Sequence, residues 1–290
     1  MAYRERPPQS LLESTIESVW SFSDDSGAFA DGSHHRVFPD GCIELIVHRG
    51  RPFAWKPEGA PPRTQPDALV VGQLSEPMWL IPGATFDVIG LRFRPGAAIE
   101  ALGGDLGELS DGVVPLDALW GAGARDVVDA VREAGTSAGA QRILETAILE
   151  RLGRGPGPHP ATRRVIDTIL RARGRVRVDR LARDVGWTER HLERRFLREV
   201  GLLPKTFART VRFQHLLQVL SAIDEEDWAG IAWECGFSDQ AHLIREVRRF
   251  TGATPARLSE EALKVARQFV SPERLRRYFS DSTLPSPGHA

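Results

Sequence analysis

The 290-residue sequence predicts an α+β protein, in which a β-rich N-terminal domain, a partial barrel with added helices, precedes an all-α domain. Turn-forming residues favour the first half, because residues 1–158 hold 14 of the 20 prolines and 20 of the 27 glycines. One helical pattern occurs twice within residues 176–258. Residues 1–158 also contain 14 basic and 22 acidic residues, whereas residues 159–258 contain 19 and 13. The basic part is therefore expected to meet a polyanion, with an acidic protein as the alternative partner.

The N-terminal stretch allows two interpretations. Its apolar residues lie at helical spacing, but its end also has the composition of a strand. These residues are Leu11, Leu12, Ile16, Val19 and Trp20. After the turn at 39–41, residues 42–48 alternate in polarity and predict a strand. One face would hold Ile43, Leu45 and Val47, and the other would hold Cys42, Glu44, Ile46 and His48.

Short apolar runs between Pro- and Gly-bearing turns predict further strands at 53–55, 68–72, 78–81 and 86–93. After residue 96 the apolar spacing becomes helical. It predicts helices at 97–102, 115–120, 124–134 and 138–152. Short strands joined by turns are typical of a small antiparallel sheet or a partial barrel.

Residues 153–160 are rich in Gly and Pro, which excludes a regular element and predicts an interdomain linker. We therefore expect a β-rich sensor or dimerisation domain at 1–152. A helical domain should follow at 161–258, with its longest helix at 205–220. Residues 259–290 should add a helical extension and, from residue 280 on, a disordered tail.

The repeated pattern is an apolar residue, Ala, three residues, Gly, an aromatic residue, and then Thr or Ser. The first copy consists of Leu181, Ala182, Gly186, Trp187 and Thr188, and the second of Ile231, Ala232, Gly236, Phe237 and Ser238. This pattern is typical of a helix-turn-helix, because Ala lets the second helix pack closely, Gly takes the tight turn, and the hydroxyl caps the next helix. Residues 188–200 and 238–251 are then the second, or recognition, helices of two such motifs.

Each recognition helix has an apolar side and a basic side when residues are placed about 100° apart. In the first helix, Leu192 and Phe196 face inward. Its outward side consists of Arg190, Glu193, Arg194, Leu197 and Arg198. In the second helix, Leu243, Val247 and Phe250 face inward. Its outward side consists of Ala241, His242, Ile244, Arg245, Arg248 and Arg249.

An α-helix fits the major groove of DNA, and Arg can bind both acceptors of a guanine edge, so the basic sides predict DNA recognition. For one such helix, a solvated charged face would be the more common explanation. Two helices, each behind the same turn, favour DNA. The helix at 205–220 would connect them rigidly. Recognition helices about one duplex turn apart, ~34 Å, could enter successive major grooves.

The doubled motif also carries a family resemblance. Residues 161–258 resemble the DNA-binding domain of AraC/XylS-type transcription regulators, through both copies of the pattern and the residues that follow each of them. The resemblance implies that base and phosphate contacts come from Arg190, Glu193, Arg194, Gln240, His242 and Arg245. On the outward sides, Arg198 and Arg248 complete the predicted DNA-binding set.

Residues 35–108 resemble the N-terminal domain of a subset of AraC-type regulators that contains the sequence Pro39-Asp40-Gly41-Cys42. The matching segments are 38–45, 70–72 and 88–97. In many of these regulators the first domain binds an effector or forms dimers, so the resemblance implies either role here. The effector stays unknown.

Other candidate chemistry lies in the N-terminal half. The candidate metal ligands are His34, His35, Glu44 and His48. They lack the spacing of two His on one strand face, so surface or capping histidines are favoured, and no metal or other cofactor is expected.

Cys42 is expected to be a small buried residue rather than a redox sensor, because nothing adjacent in sequence would lower the pKa of its thiol. Four tryptophans are candidates for lining a ligand pocket, although core packing is the more common role. They are Trp20, Trp55, Trp79 and Trp120.

The predicted function is a sequence-specific DNA-binding transcription regulator rather than an enzyme. Two alternatives are a metal-dependent barrel enzyme targeted to DNA and a non-specific architectural DNA binder. Expected partners are double-stranded DNA, a small-molecule effector, a second copy of the chain through the N-terminal domain and, for an activator, RNA polymerase. Two distant cysteines, the lack of a signal-peptide pattern and the lack of an apolar run of ~20 residues predict a cytoplasmic protein with no membrane partner.

Overall fold

The computed structural model describes residues 2–27, 34–57, 59–153, 157–220 and 228–254. The helices expected beyond residue 258 and the tail expected from residue 280 lie outside these described residues. Of the helices in the described ranges, none is long and apolar enough to cross a membrane.

The described N-terminal residues form ten strands in two antiparallel sheets. The strands are β1 (Ala2–Arg6), β2 (Ile16–Asp24), β3 (His35–Val37), β4 (Glu44–His48), β5 (Ala54–Pro57), β6 (Arg63–Thr64), β7 (Ala68–Val71), β8 (Met78–Ile81), β9 (Phe86–Phe93) and β10 (Val113–Pro115). One sheet has six strands in the order β1-β2-β9-β4-β7-β10, and the other has four in the order β3-β8-β5-β6. Every pairing is antiparallel, as the short strands and turns predicted.

The six-stranded sheet lies between a helical layer and the four-stranded sheet. The helices are α1 (Ala98–Leu102), α2 (Leu116–Trp120), α3 (Gly123–Glu133) and α4 (Ser137–Arg151). In β4, Leu45 and Val47 enter the core that contains α4 residue Leu144. Ile46 points the other way and packs in the same cluster as Leu80 of β8. The alternation predicted for residues 42–48 is therefore confirmed, with both faces buried.

The predicted strands at 68–72, 78–81 and 86–93 and the four predicted helices are confirmed within a residue or two. Of the two interpretations of residues 11–20, the strand at the end is confirmed and the continuous helix is wrong, because β2 begins at Ile16 and is buried on both faces. A strand buried on both faces shows no two-residue alternation, so its apolar residues can mimic helical spacing. The prediction missed β1, β3, β6 and β10, which are short or charged.

The described C-terminal residues are helical. The helices are α5 (Pro160–Arg171), α6 (Val178–Asp184), α7 (Glu189–Val200), α8 (Pro204–Leu220), α9 (Trp228–Glu234) and α10 (Gln240–Thr251). Pro160 begins α5, one residue before the expected start, because proline is well placed in the first turn of a helix. The pairs α6–α7 and α9–α10 form the two predicted helix-turn-helix units, and α8 connects them.

Each helix pair has its own core, and α8 contributes to both. Phe196 of α7 packs against Phe207 near the start of α8, with ring centroids 5.6 Å apart. Leu216 near the end of α8 packs with Ile231 and Leu243 of the second pair. A single continuous helix shared by two cores fixes the orientation of one pair relative to the other.

Candidate nucleic-acid interface

Both turns are built as the repeated pattern predicts. Gly186 and Gly236 have φ angles of 72° and 74°, the left-handed region that favours glycine. Ala182 and Ala232 are buried at the contact between the paired helices. After each glycine, the chain folds back, and the N–H of Trp187 donates to the Ala182 carbonyl at 2.9 Å.

The helix caps differ between the two copies. Thr188 is confirmed as the cap of α7, because its hydroxyl accepts from the His191 N–H at 3.2 Å. The predicted cap Ser238 is wrong. Asp239 caps α10 instead, because its carboxylate, a stronger acceptor than a hydroxyl, accepts from the His242 N–H at 2.7 Å. This bond from the His242 N–H lowers the pKa of the Asp239 carboxyl.

The outward side of α7 is largely exposed. Leu192 and Phe196 are fully buried, as expected. The exposed residues include Arg190, Glu193, Arg194 and Arg198. Leu197 was predicted on this side, but it is half-buried. A Cβ placed on Gly107 would lie 2.9 Å from its Cγ, so the N-terminal region covers Leu197.

The outward side of α10 exposes Gln240, Arg245 and Arg248. His242 is half-buried, because its ring packs edge-on against Phe237 with the centroids 5.4 Å apart. Its Nδ1 lies 3.1 Å from the Ser238 hydroxyl. His242 therefore supports the start of α10 as well as bordering its exposed side.

An ion pair holds α10 against α8. Arg209 Nε donates to Glu246 at 2.7 Å, and a second guanidinium nitrogen donates to the other carboxylate oxygen. Partial burial opposes ionisation of Glu246 and is the largest single effect on its pKa, but the hydrogen bonds and charge of Arg209, together with the charges of His242 and Arg249, outweigh it and lower the pKa of the carboxyl. A bidentate pair of this kind restricts rotation of α10 about its axis, which keeps its arginines on one side.

The N-terminal region contacts both recognition helices at their C-terminal ends. The Ser110 hydroxyl donates to the carbonyl of Gly201, which ends α7. The Arg36 guanidinium donates to the carbonyl of Thr251, the last residue of α10. Basic and hydroxyl donors satisfy the carbonyls that a helix end leaves without partners. The N-terminal region is therefore hydrogen-bonded to the ends of both recognition helices.

A third contact joins the halves at α8. Phe38 belongs to a small buried cluster with Phe213, Leu217 and Phe250. Its ring centroid lies 6.2 Å from that of Phe213. Beside it, Gln214 Nε2 donates to the carbonyl of Pro39 at 2.7 Å. The segment before β4 is thus clamped to the connecting helix.

A cavity of about 50 Å³ lies between the two sheets, next to this segment. A single water needs roughly 10–15 Å³ on the same scale, so the cavity has room for a small guest. Its lining includes Tyr3, Trp20, Phe22, Phe38, Asp40, Cys42, Glu44, Phe53 and Arg92. Of the four tryptophans proposed to line a pocket, Trp20 lines it. Trp55 and Trp120 are core residues, and Trp79 lies under the Arg36 guanidinium.

One end of the cavity is polar. Arg92 is 3% exposed, and one of its guanidinium nitrogens lies 2.7 Å from Glu44. The other two guanidinium nitrogens lie 3.4 Å from Glu5 and 3.6 Å from Asp40. Sequence reasoning missed this cluster, although one signal was present: a charged residue interrupts the apolar strand at 86–93. Nearby, the buried Cys42 thiol donates to Glu17 at 3.3 Å.

The candidate metal ligands do not converge. His35 lies on β3 in the four-stranded sheet, whereas Glu44 and His48 lie on β4 in the other sheet. His48 Nε2 lies 2.9 Å from Gln65 Oε1, and burial lowers the pKa of the His48 imidazole to about 4. The described part of the chain contains no group of three or more metal-ligating side chains.

Two family models match the sequence. Residues 181–261 match a family described as a helix-turn-helix domain, and residues 4–115 match a domain of unknown function (DUF6597). Uncharacterized HTH-type transcriptional regulators from Staphylococcus aureus strains MSSA476 and MRSA252 are each 36% identical over 75 residues. That segment is 26% of this chain, and the chain spans about a tenth of the length of these curated relatives.

Solved structures of ToxT from Vibrio cholerae are also similar to the chain. ToxT from strain O395 is 10% identical, with a TM-score of 0.43, over 91% of this chain and 98% of that one. ToxT from strain SCE256 with a bound unsaturated fatty acid is 10% identical, with a TM-score of 0.43, over 91% of this chain and 95% of that one.

Proposed function

We propose that this chain, whose residues 181–261 match a helix-turn-helix family, is a sequence-specific DNA-binding transcription regulator of the AraC type. One observation carries the proposal. Two helix-turn-helix units expose arginines on their second helices, and a single helix, α8, contributes to the cores of both. Such a connector allows one chain to place two helices in successive major grooves.

In the first unit, Arg190 and Arg194 would bind guanine edges through two hydrogen bonds each, and Glu193 would accept from a cytosine amino group. Arg198, near the end of α7, would bind phosphate. In the second unit, Gln240 would pair with adenine. His242, Arg245 and Arg248 would supply further base and phosphate contacts, with His242 limited by its packing on Phe237.

We propose four segments for the chain: a sensor and dimerisation domain at 1–152, a linker at 153–160, the DNA-binding domain at 161–258 and an extension at 259–290. The N-terminal domain would bind a small-molecule effector in the cavity between its sheets. It would also support a homodimer. The regulator would act in the cytoplasm and, as an activator, would contact RNA polymerase.

The test is selection of bound sequences from random duplexes with the full chain. We expect one motif of two blocks about a helical turn apart. Substituting Arg190→Ala and Arg194→Ala together should remove sequence preference from one block, because each bidentate contact contributes about 1–3 kcal/mol of discrimination.

The matched control replaces two arginines that are exposed on the N-terminal region, Arg125→Ala and Arg142→Ala. It removes the same charge, so it should leave both blocks unchanged. If the Arg190 and Arg194 variant keeps full discrimination, the base-reading assignment is wrong. If the full chain binds all duplexes equally at controlled salt, the chain is an architectural binder instead.

A further inference from the structure

We propose that the cavity between the two sheets binds a small organic cation that carries a hydroxyl group, an amino alcohol in chemical class. The inference rests on the proposed role of the N-terminal region as a sensor and gives that sensor a ligand class. It is argued from the lining of the cavity, from the balance of charge at its polar end, and from one buried donor.

Aromatic rings form much of the lining. Tyr3 stacks on Trp20 with ring centroids 6.3 Å apart, and it meets Phe22 edge-on at 6.2 Å. Phe53 adds a fourth aromatic side chain to the wall. The faces of such rings carry partial negative charge and attract organic cations, most strongly where water is excluded. The aromatic lining therefore favours a positively charged guest over an anion of equal size.

The polar end carries more negative than positive charge among the described residues. Asp40 and Glu44 line the cavity, and both lie within 3.6 Å of the guanidinium of Arg92, the one cation in the lining. An ionised carboxylate has about four acceptor positions, so these groups can bind Arg92 and still face a cationic guest. A carboxylate guest would meet two like charges in the lining, Asp40 and Glu44, and an arginine that is already bound, which opposes its entry.

The indole N–H of Trp20 favours a guest that carries a hydroxyl group. Its side chain is 7% exposed, and its indole N–H has no hydrogen-bond partner among the described residues. Buried indole N–H groups usually find an acceptor. A guest with a hydroxyl oxygen would satisfy this donor while its cationic end lies toward the carboxylates. The volume of about 50 Å³ limits the guest to a few non-hydrogen atoms.

The cavity is also connected to the helical half. Phe38 and Asp40 line it, and the same short segment contacts α8 through Phe38 and the Pro39 carbonyl. A guest that moves Asp40 therefore acts on the segment that α8 holds.

The experiment is isothermal titration calorimetry of the full chain, without DNA, against three molecules of nearly the same shape. They are protonated ethanolamine, its carbon isostere 1-propanol, in which a methyl group replaces the ammonium, and the glycolate anion. We expect ethanolamine to bind at least about tenfold more tightly than either, the scale of a desolvated cation–π contact. Equal binding of the isostere, tighter binding of the anion, or binding of none of the three would overturn the proposal.

Variants separate the charge effect from folding. Glu44→Gln should weaken ethanolamine binding about tenfold and leave binding of the isostere unchanged, whereas substitution of an exposed glutamate on α4, Glu150→Gln, should change neither. If Glu44→Gln does not fold, Asp40→Asn serves, because the asparagine oxygen can still accept from the Cys42 N–H as Asp40 does at 2.9 Å. Sequence selection is a separate measurement, so failure here leaves the DNA-binding proposal standing.

Discussion

His48 shows what burial does to a single residue in this protein. Its side chain is fully buried, and burial lowers the pKa of the imidazole from the ordinary 6.5 to about 4. In the unfolded chain the imidazole binds a proton below pH 6.5, whereas in the folded chain it resists protonation until about pH 4. The unfolded state therefore binds more protons in this window, and stability falls as the pH falls through it.

We predict that His48→Gln flattens this dependence. The wild-type chain should lose about 3 kcal/mol of stability through His48 between pH 6.5 and 4. The glutamine can keep a hydrogen bond to Gln65 and has no proton to gain. Urea unfolding at several pH values measures the difference. Burial also lowers the pKa of His215 to about 4. His215 is present in both proteins, so its contribution to the pH dependence cancels in the difference between them. Parallel curves for the two proteins would contradict the assignment.

At the residue scale, the repeated motif predicted one helix cap correctly and the other wrongly. Thr188 caps α7 as the pattern predicted, but Ser238 does not cap α10. The sequence places two good caps side by side, and a carboxylate accepts from a backbone N–H more strongly than a hydroxyl does. The pattern alone aligned Ser238 with Thr188 and so missed Asp239.

At the scale of elements, the two turns offer a matched comparison. Gly186 and Gly236 have nearly the same φ, but their surroundings differ. A Cβ at Gly186 would meet nothing within 4 Å, whereas one at Gly236 would lie 2.3 Å from Cδ of Arg175. Replacing either glycine by alanine therefore forces a residue with a Cβ into the left-handed conformation. Only at Gly236 would the new Cβ also clash with a neighbouring side chain.

We predict that Gly186→Ala costs about 1–2 kcal/mol, the cost of a left-handed conformation for a residue with a Cβ. Gly236→Ala should cost more, because the Arg175 side chain must also move. Thermal and urea unfolding of both variants would measure this order. The double variant Gly236→Ala with Arg175→Ala removes the clash and should return to the Gly186→Ala value. Equal costs for the two single variants would show that Arg175 moves freely.

Most helices and strands were predictable because the spacing of their apolar residues matches the face that each one buries. Residues 42–48 alternate between two cores, and the strand prediction was right on both faces. The sequence left residues 11–20 open between a helix and a strand at their end, because β2 is buried on both faces and lacks the alternation that distinguishes a strand from a helix. Arg92 was visible as a charge in an apolar strand, but its carboxylate partners come from β1, β4 and the turn before β4.

At the scale of the whole molecule, Phe38 joins the two halves. We predict that Phe38→Ala costs about 3 kcal/mol and increases hydrogen exchange in α8 and α10 as well as beside β4. The matched control is Phe53→Ala, since Phe53 is 5% exposed and Phe38 is 6% exposed. Phe53 packs between the two sheets, so its loss should spare α8 and α10. Hydrogen exchange measured by mass spectrometry distinguishes these outcomes, and equal protection of α8 in both variants would argue against the clamp.

The contacts between the halves could not be predicted from sequence. Ser110 and Arg36 bind the ends of α7 and α10, but these pairs are separated by 91 and 215 positions along the chain. No local pattern specifies such a pair. Leu197 illustrates the consequence, because helical geometry placed it correctly on the outward side of α7, but only the fold places Gly107 over it.

Trp233 lies on the surface of α9 with 83% of its area exposed. The other described tryptophans are buried or half-buried, so an aqueous quencher such as acrylamide reaches this indole far more readily than the rest. The second helix-turn-helix unit thus has its own fluorophore. The shielding of its emission by a duplex would report occupancy of that unit in the unmodified protein, independently of the first.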